Sequence, residues 1–262
     1  MGNKRRIRFL KTVSLVVLSV CLVWLVRAYV LSWQNRAQIE DLRRRGETVI
    51  EPPESSAEPE LPVESPPSEP VVLKKYASLL KKNDDLAGWI SIDGMEIDYP
   101  VMQCEDDDYY LHHDFYRKHS KYGCLFVREQ ADLESGTNVI IYGHNMKDGS
   151  MFGDLDLYEK KSFYREHPSI SFDTLYEKRT YDIIAVFRSR VYRSDENVFK
   201  YYQFYEAQTE KEFNSFYRNI KKLSLYDTGV KAQFGDTFIT LSTCAYHVED
   251  GRFVVVAKRR RE

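Results

Sequence analysis

TLSTCAYHVEDGRFVVVAKR, residues 240–259, is the stretch from which the fold is most clearly predicted. Two runs rich in apolar and β-branched residues flank a polar segment that ends in Asp250-Gly251, a common turn pair. If the two runs pair as antiparallel strands, Cys244 at the end of the first faces Arg252 at the start of the second. A permanent cation beside a thiol favours the thiolate and can stabilise an oxyanion. Cys244 is therefore the candidate nucleophile.

A catalytic cysteine also needs an acid–base partner, and the chain has six histidines. His144 follows the apolar run NVIIY (138–142), and Gly143 between them permits a sharp exit from a strand. His247 is nearer to Cys244 in sequence, but it lies in the predicted turn, where its ring could face solvent. We therefore expect His144 to project into the cleft that holds the thiol.

Short β-type runs separated by turn residues continue upstream of this stretch. Residues 88–101 show a hairpin pattern around Asp93-Gly94. Further strands are predicted at 123–127, 138–142 and 181–187. Many short strands with few helices predict an all-β barrel or sandwich that carries helical insertions.

Two helices are predicted within this β-rich part. Residues 73–86 place most of their apolar side chains on one face, and Asn83 to Asp85 would end that helix. In residues 209–223, Thr209 and Glu212 match a capping box, and aromatic residues follow at helical spacing. We interpret that aromatic stripe as a face that packs on the core.

The amino-terminal segment is typical of a membrane anchor. Residues 12–26 carry no charge, and with their apolar neighbours the run from 9 to 31 covers about 20 residues, enough to cross a bilayer. Lys11 and Arg27 at its edges can extend to the headgroups. No A-x-A-like cleavage site follows, so we predict an uncleaved anchor rather than a signal peptide.

A spacer is predicted between the anchor and the folded domain. Residues 1–8 are a short basic tail, and residues 32–45 are polar with good helix formers. Residues 46–70 are rich in Pro, Glu and Ser, which predicts an extended spacer. The folded domain is predicted at 71–262. Basic residues flank the anchor on both sides, so charge counting leans toward a cytoplasmic amino terminus without settling it.

Composition excludes several other classes of protein. A chain of 262 residues with a net charge of −2 has room for one domain plus appendages and has no overall attraction for nucleic acid. Four cysteines are too few for a disulfide-stapled secreted domain, although Cys104 and Cys124 could pair. These two cysteines with His112 and His113 match no standard zinc spacing, so no metal site is predicted.

Three segments together resemble the signature of a known family. TLSTC at 240–244, an arginine eight residues beyond the cysteine, and YGHNM around His144 resemble the sortases. The serine of TLSTC, residues 88–115 and the helix at 209–223 resemble class B in particular. The resemblance covers about residues 73–259. It implies a mainly β fold: an eight-stranded sortase-type barrel with amino-terminal helices and a helix inserted before the strand that carries the cysteine.

The resemblance also implies a reaction that uses no cofactor. Cys244 would attack the carbonyl of a threonine in a carboxy-terminal sorting signal and form a thioester acyl-enzyme. His144 would be the general acid and base, and Arg252 would hold the substrate and the oxyanion. Ser242 and Leu111 would line the substrate groove.

The partners implied are surface proteins that carry such a signal and an amino group of the peptidoglycan precursor, outside a Gram-positive membrane with the amino terminus in the cytoplasm. A pilin lysine or water could be the acceptor instead. A non-enzymatic, membrane-tethered binding module would make Cys244 a buried core thiol. Asp107 stands where asparagine is expected and Ala245 replaces an acidic residue of some members, so substrate preference is open there.

Overall fold

The computed structural model describes residues 2–47, 71–245 and 248–261. The chain divides after Arg44 into two compact units. The first unit lies within one helix, α1 (Gly2–Glu47), in which the apolar run and the polar segment after it are continuous. By length and composition the part from Phe9 to Gly46 could cross a membrane. Most of the predicted spacer, residues 48–70, lies outside the described residues.

The second unit is mainly β. Its helices are α2 (Lys74–Leu80), α3 (Tyr109–His112), α4 (Lys161–Glu166) and α5 (Glu210–Leu223), with 3₁₀ turns at Leu155–Glu159 and Tyr201–Gln203. Its strands are β1 (Leu86–Ser91), β2 (Asp98–Met102), β3 (Leu125–Phe126), β4 (Asn138–Gly143), β5 (Ser169–Thr174), β6 (Thr180–Arg190), β7 (Phe238–Cys244) and β8 (Gly251–Arg259).

The eight strands of the described residues form a closed barrel in the order β1-β2-β3-β4-β7-β8-β6-β5. Pairing of β5 with β1 closes the ring, which leaves the barrel without an open sheet edge. β4 runs parallel to β7, and β7 runs antiparallel to β8. The predicted eight-stranded barrel, with a helix before the strand that carries the cysteine, is confirmed.

The helix predicted within 73–86, with Asn83 to Asp85 as its end, covers Lys74–Leu80, because the side chain of Asn83 turns inward and donates to the hydroxyl of Tyr110 and the carbonyl of Phe115, at 2.8 and 2.7 Å. The strand β5 was not predicted, although Ile170, Phe172 and Thr174 of SISFDT are buried in strict alternation.

The helix α5 forms as its sequence predicts. Thr209 and Glu212 complete a capping box, which satisfies backbone donors at the first turn. Phe213, Phe216 and Ile220 are buried in one cluster with residues of β6, β7 and β8. Packing of this aromatic face covers the outside of the barrel beside the strand that carries Cys244.

Candidate active site

The end of β7 places Cys244 directly opposite Arg252. The two residues are cross-strand partners in the antiparallel pair of β7 and β8, as the sequence predicts. Both side chains are half-buried. Nη1 of Arg252 donates to the carbonyl oxygens of Gly251 and Asp250, at 2.9 and 3.3 Å. Since a guanidinium has five N–H donors, several remain to bind a substrate or an oxyanion.

His144 reaches the same place from the parallel neighbour of β7. Gly143, the last residue of β4, is the register partner of Thr243, so His144 emerges beside the cysteine. A side chain on Gly143 would collide with Leu125 and Phe152, which explains the glycine before the histidine. The ring nitrogen Nε2 of His144 lies 2.8 Å from the carbonyl oxygen of Leu111. That contact requires a proton on Nε2 and leaves Nδ1 free to exchange one.

A cleft of about 750 Å³ opens at this end of the barrel. The structure brings all the predicted site residues together, because Leu111, His144, Ser242, Cys244 and Arg252 all line the cleft. A thiol, an imidazole and a guanidinium at one concave surface can perform nucleophilic attack, proton transfer and anion stabilisation.

Ser242 is joined to a buried tyrosine. The hydroxyls of Ser242 and Tyr201 lie 2.8 Å apart, and Tyr201 is 1% exposed. Burial raises the pKa of Tyr201 to about 12, whereas the hydrogen bond with Ser242 and the charge of Arg252 act in the opposite direction. Tyr201 therefore stays protonated at neutral pH and can hold the serine hydroxyl in place.

The mouth of the cleft carries charged and phenolic groups. Asp107 accepts a hydrogen bond from the backbone N–H of Glu129 at 2.9 Å and lies 3.6 Å from the guanidinium of Arg128. The hydroxyls of Tyr142 and Tyr205, which also line the cleft, are buried without a hydrogen-bond partner among the described residues. Unpaired buried hydroxyls are costly, so these two can bind a polar group of a ligand.

The other cysteines and histidines that the sequence offered have different positions. Cys104 and Cys124 are both free thiols. The thiol of Cys104 donates to the carbonyl of Asp106 at 3.3 Å, and burial raises its pKa and that of the fully enclosed Cys124. His247, the alternative acid–base partner, lies outside the described residues.

Several residues of the site were missed from the sequence. Tyr201 lies 41 positions before Ser242 in a long connection, and nothing local in its sequence points to this contact. Asn145 donates from Nδ2 to the carbonyl oxygen of Cys244 at 2.8 Å, and its place directly after His144 was a usable signal. Ala245, which the sequence analysis named as a position that bears on substrate preference, is buried. Its N–H donates to the carbonyl of Gly251 at 2.9 Å.

Comparison with known proteins gives consistent results. Residues 90–260 match the model of the sortase domain. The sortase B of Listeria monocytogenes is 37% identical over 194 residues, which cover 71% of this chain and 74% of that protein. The Staphylococcus aureus sortase B–substrate complex is 28% identical with a TM-score of 0.73, covering 88% of this chain and 99% of that one. A sortase B complexed with triglycine is 29% identical with a TM-score of 0.72, covering 88% and 99%.

Proposed function

Because the chain belongs to the class B sortases, a family of cysteine transpeptidases, we propose that it cleaves a carboxy-terminal sorting signal after threonine and joins the protein to an amino group of the cell wall. The observation that carries the proposal is the meeting of Cys244, Arg252 and His144 at one cleft. Cys244 and Arg252 are cross-strand partners, and His144 follows the register partner of Thr243.

In the first half of the reaction the thiolate of Cys244 attacks the threonine carbonyl carbon. The carbonyl oxygen becomes an oxyanion, which the guanidinium of Arg252, the cross-strand partner of Cys244, can stabilise. The bond between the carbonyl carbon and the amide nitrogen then breaks, and Nδ1 of His144 supplies the proton that the departing amine needs. The product is a thioester between Cys244 and the carboxy-terminal threonine of the surface protein.

In the second half an amine attacks the thioester. His144 accepts the proton of that amine, the new amide forms, and the thiolate of Cys244 is released. Ser242 lies two residues before the cysteine and so faces the same side of β7. Leu111 contributes apolar surface to the groove, and its carbonyl oxygen also holds the imidazole.

The acceptor is an amino group of the peptidoglycan precursor or cross-bridge. A sortase B has been solved with triglycine, a short peptide with a free amine, which supports an amine acceptor for this chain. The apolar helix α1 is compatible with a membrane anchor. We place the amino terminus in the cytoplasm and the barrel outside the cell, where both the surface protein and the wall amine are present.

Replacing the nucleophile tests the proposal. Cys244→Ala should abolish both cleavage of a sorting-signal peptide and the acyl-enzyme mass, because the described residues that line the cleft include no other thiol to form the thioester. Cys104→Ala is the matched control, since that thiol is also half-buried but lies outside the cleft. It should retain the wild-type rate. Unchanged cleavage in Cys244→Ala would end the proposal.

The acceptor is tested separately. The acyl-enzyme is supplied in parallel with a peptidoglycan stem peptide, a pilin subunit that offers a lysine, or buffer alone. Faster turnover with the stem peptide is expected. Faster turnover with the pilin would identify a pilin polymerase, and turnover indifferent to any amine would identify a hydrolase.

A further inference from the structure

We propose that Asn145 and Thr243 are positioning residues that set the separation between the thiol of Cys244 and the imidazole of His144. They do so through two crossed hydrogen bonds between the ends of β4 and β7. The inference rests on the proposed function, in which those two side chains form the catalytic pair.

The two hydrogen bonds have a reciprocal arrangement. The hydroxyl of Thr243 donates to the carbonyl oxygen of Gly143 at 2.8 Å, joining the residue before the cysteine to the residue before the histidine. The side-chain amide of Asn145 donates to the carbonyl oxygen of Cys244 at 2.8 Å, joining the residue after the histidine to the cysteine itself. Each reactive residue therefore lies beside a link that runs directly to the other strand.

These links lie where the backbone ladder stops. The pairing of β4 with β7 extends over six residue pairs and ends at Gly143 and Thr243. His144 and Cys244 follow immediately, so the ladder between β4 and β7 does not fix the distance between their backbones. Side chains that bond to backbone carbonyls can replace the missing ladder bonds at a strand end.

The surroundings make both hydrogen bonds effective. Thr243 is 2% exposed and Asn145 is half-buried, so water competes weakly for their partners. A β-bridge pairs Asn145 with Met151, and the N–H of Phe152 donates to the carbonyl of His144 at 3.0 Å. The backbone of His144 and Asn145 is thus held by the segment that contains Met151 and Phe152. The side chain of Asn145 reaches from there to the carbonyl of Cys244 on β7.

Separation matters because, in both halves of the reaction, Cys244 forms or breaks its bond to the threonine carbonyl carbon while His144 exchanges a proton with the nitrogen attached to that carbon. A misplacement of about 1 Å in an active site can lower the rate about 10²-fold. Supporting hydrogen bonds around a reactive group are the usual means of preventing such displacement.

The experiment compares the reactive end with the other end of the same two strands. Asn145→Leu and Thr243→Val remove one crossed bond each at nearly constant volume, and Thr243→Ser keeps the hydroxyl. Thr240→Val is the matched control, because Thr240 on β7 donates to the side chain of Asn138 on β4 at 2.8 Å, four residues from the cysteine. Asn145→Asp keeps the side-chain shape without the donor, should the leucine variant fail to fold.

Full-length protein in detergent micelles serves for three measurements: melting temperature, single-turnover acylation by a sorting-signal peptide, and the rate of Cys244 alkylation by iodoacetamide against pH. Asn145→Leu and Thr243→Val should lower the maximal acylation rate about 10–100-fold. The peptide concentration that gives half this rate should stay within about threefold of the wild-type value, and the dependence of the alkylation rate on pH should shift. Thr243→Ser should restore both the rate and the alkylation profile. Thr240→Val should lower the melting temperature and leave the rate and the profile unchanged.

The proposal is wrong if the variants at the reactive end lose no more activity than Thr240→Val and keep the wild-type alkylation profile. Failure of the proposed function looks different. Wild-type protein would then form no acyl-enzyme, while the alkylation profiles, which need no substrate, would still show whether Asn145 and Thr243 control the thiol and its neighbour.

Discussion

The two ends of β7 differ in how their polar groups are paired. At the end that begins with Phe238, Thr240 bonds to Asn138, whose amide in turn donates to the carbonyl of Phe204 at 2.8 Å. Nearby, Arg179 is 4% exposed in its side chain and binds Glu134, Glu177 and the carbonyl of Leu133. Thr240, Asn138 and Arg179 are thus all satisfied within the protein.

At the Cys244 end, polar groups keep spare capacity. The thiol and the guanidinium of Arg252 are half-buried, and Arg252 uses Nη1 alone for its hydrogen bonds among the described residues. The hydroxyls of Tyr142 and Tyr205 are enclosed without a partner in the described part of the chain. The same strand therefore stabilises the barrel at one end and presents unsatisfied groups to a ligand at the other.

Substitution of one arginine at each end tests this difference between the two ends of β7. The arginine at the reactive end is Arg252. Arg252→Ala is expected to lower the rate of acyl-enzyme formation about 10²–10³-fold, because it removes the permanent cation beside the developing oxyanion. Its melting temperature should stay close to that of the wild type. Quenched-flow acylation with a sorting-signal peptide gives the rate, and Arg252→Lys should recover little because an ammonium lacks the planar fork of donors.

At the opposite end the effect should fall on stability. Arg179→Met is expected to lower the free energy of unfolding by about 2–3 kcal/mol, since its charge-assisted hydrogen bonds are lost from a buried site. Urea denaturation measures this change, and the neighbouring exposed Lys178→Met should change stability by less than about 0.5 kcal/mol. An acylation rate that falls in Arg179→Met per folded molecule would contradict the division between the two ends.

The smallest expected effect is a pH dependence of stability caused by Tyr201, which lies at the reactive end. Tyr201 has its pKa raised to about 12 by burial, whereas the unfolded chain releases the phenol proton near pH 10. The folded state keeps this proton and the unfolded state loses it, so stability declines as pH rises from about 10 to 12. At pH 11 the wild type should have lost about 1 kcal/mol relative to Tyr201→Phe, compared with their difference at pH 8. A difference independent of pH would show that the phenol contributes no such linkage.

Much of the fold follows from local signals in the sequence. The turn pair Asp93-Gly94 fixes the hairpin of β1 and β2, and the capping box at Thr209 fixes the start of α5. The strand β5 carries the alternation of a strand in only six residues, too short a run to stand out. The end of α2 depends on Asn83, whose partners Tyr110 and Phe115 lie about 30 positions away.

The site divides in the same way. Cys244 and Arg252 were predictable because one turn separates their strands, so local pairing alone places them face to face. The backbone carbonyl of Leu111 beside His144, and the phenol of Tyr201 beside Ser242, were not predictable. Both contacts join segments that are more than 30 residues apart, and their distances depend on closure of the whole barrel.

The sequence by itself determined where Cys244, Arg252 and His144 lie, because each is at the end of a strand marked by a run of apolar residues and a turn. It also determined the apolar amino-terminal helix, for which length and hydropathy suffice. Only the tertiary structure decided how those three side chains are held. The crossed bonds of Asn145 and Thr243 exist because β4 and β7, about 100 residues apart in the chain, are parallel neighbours in the barrel. Parallel strands are not joined by a short turn, so no local sequence signal predicts that these two strands pair.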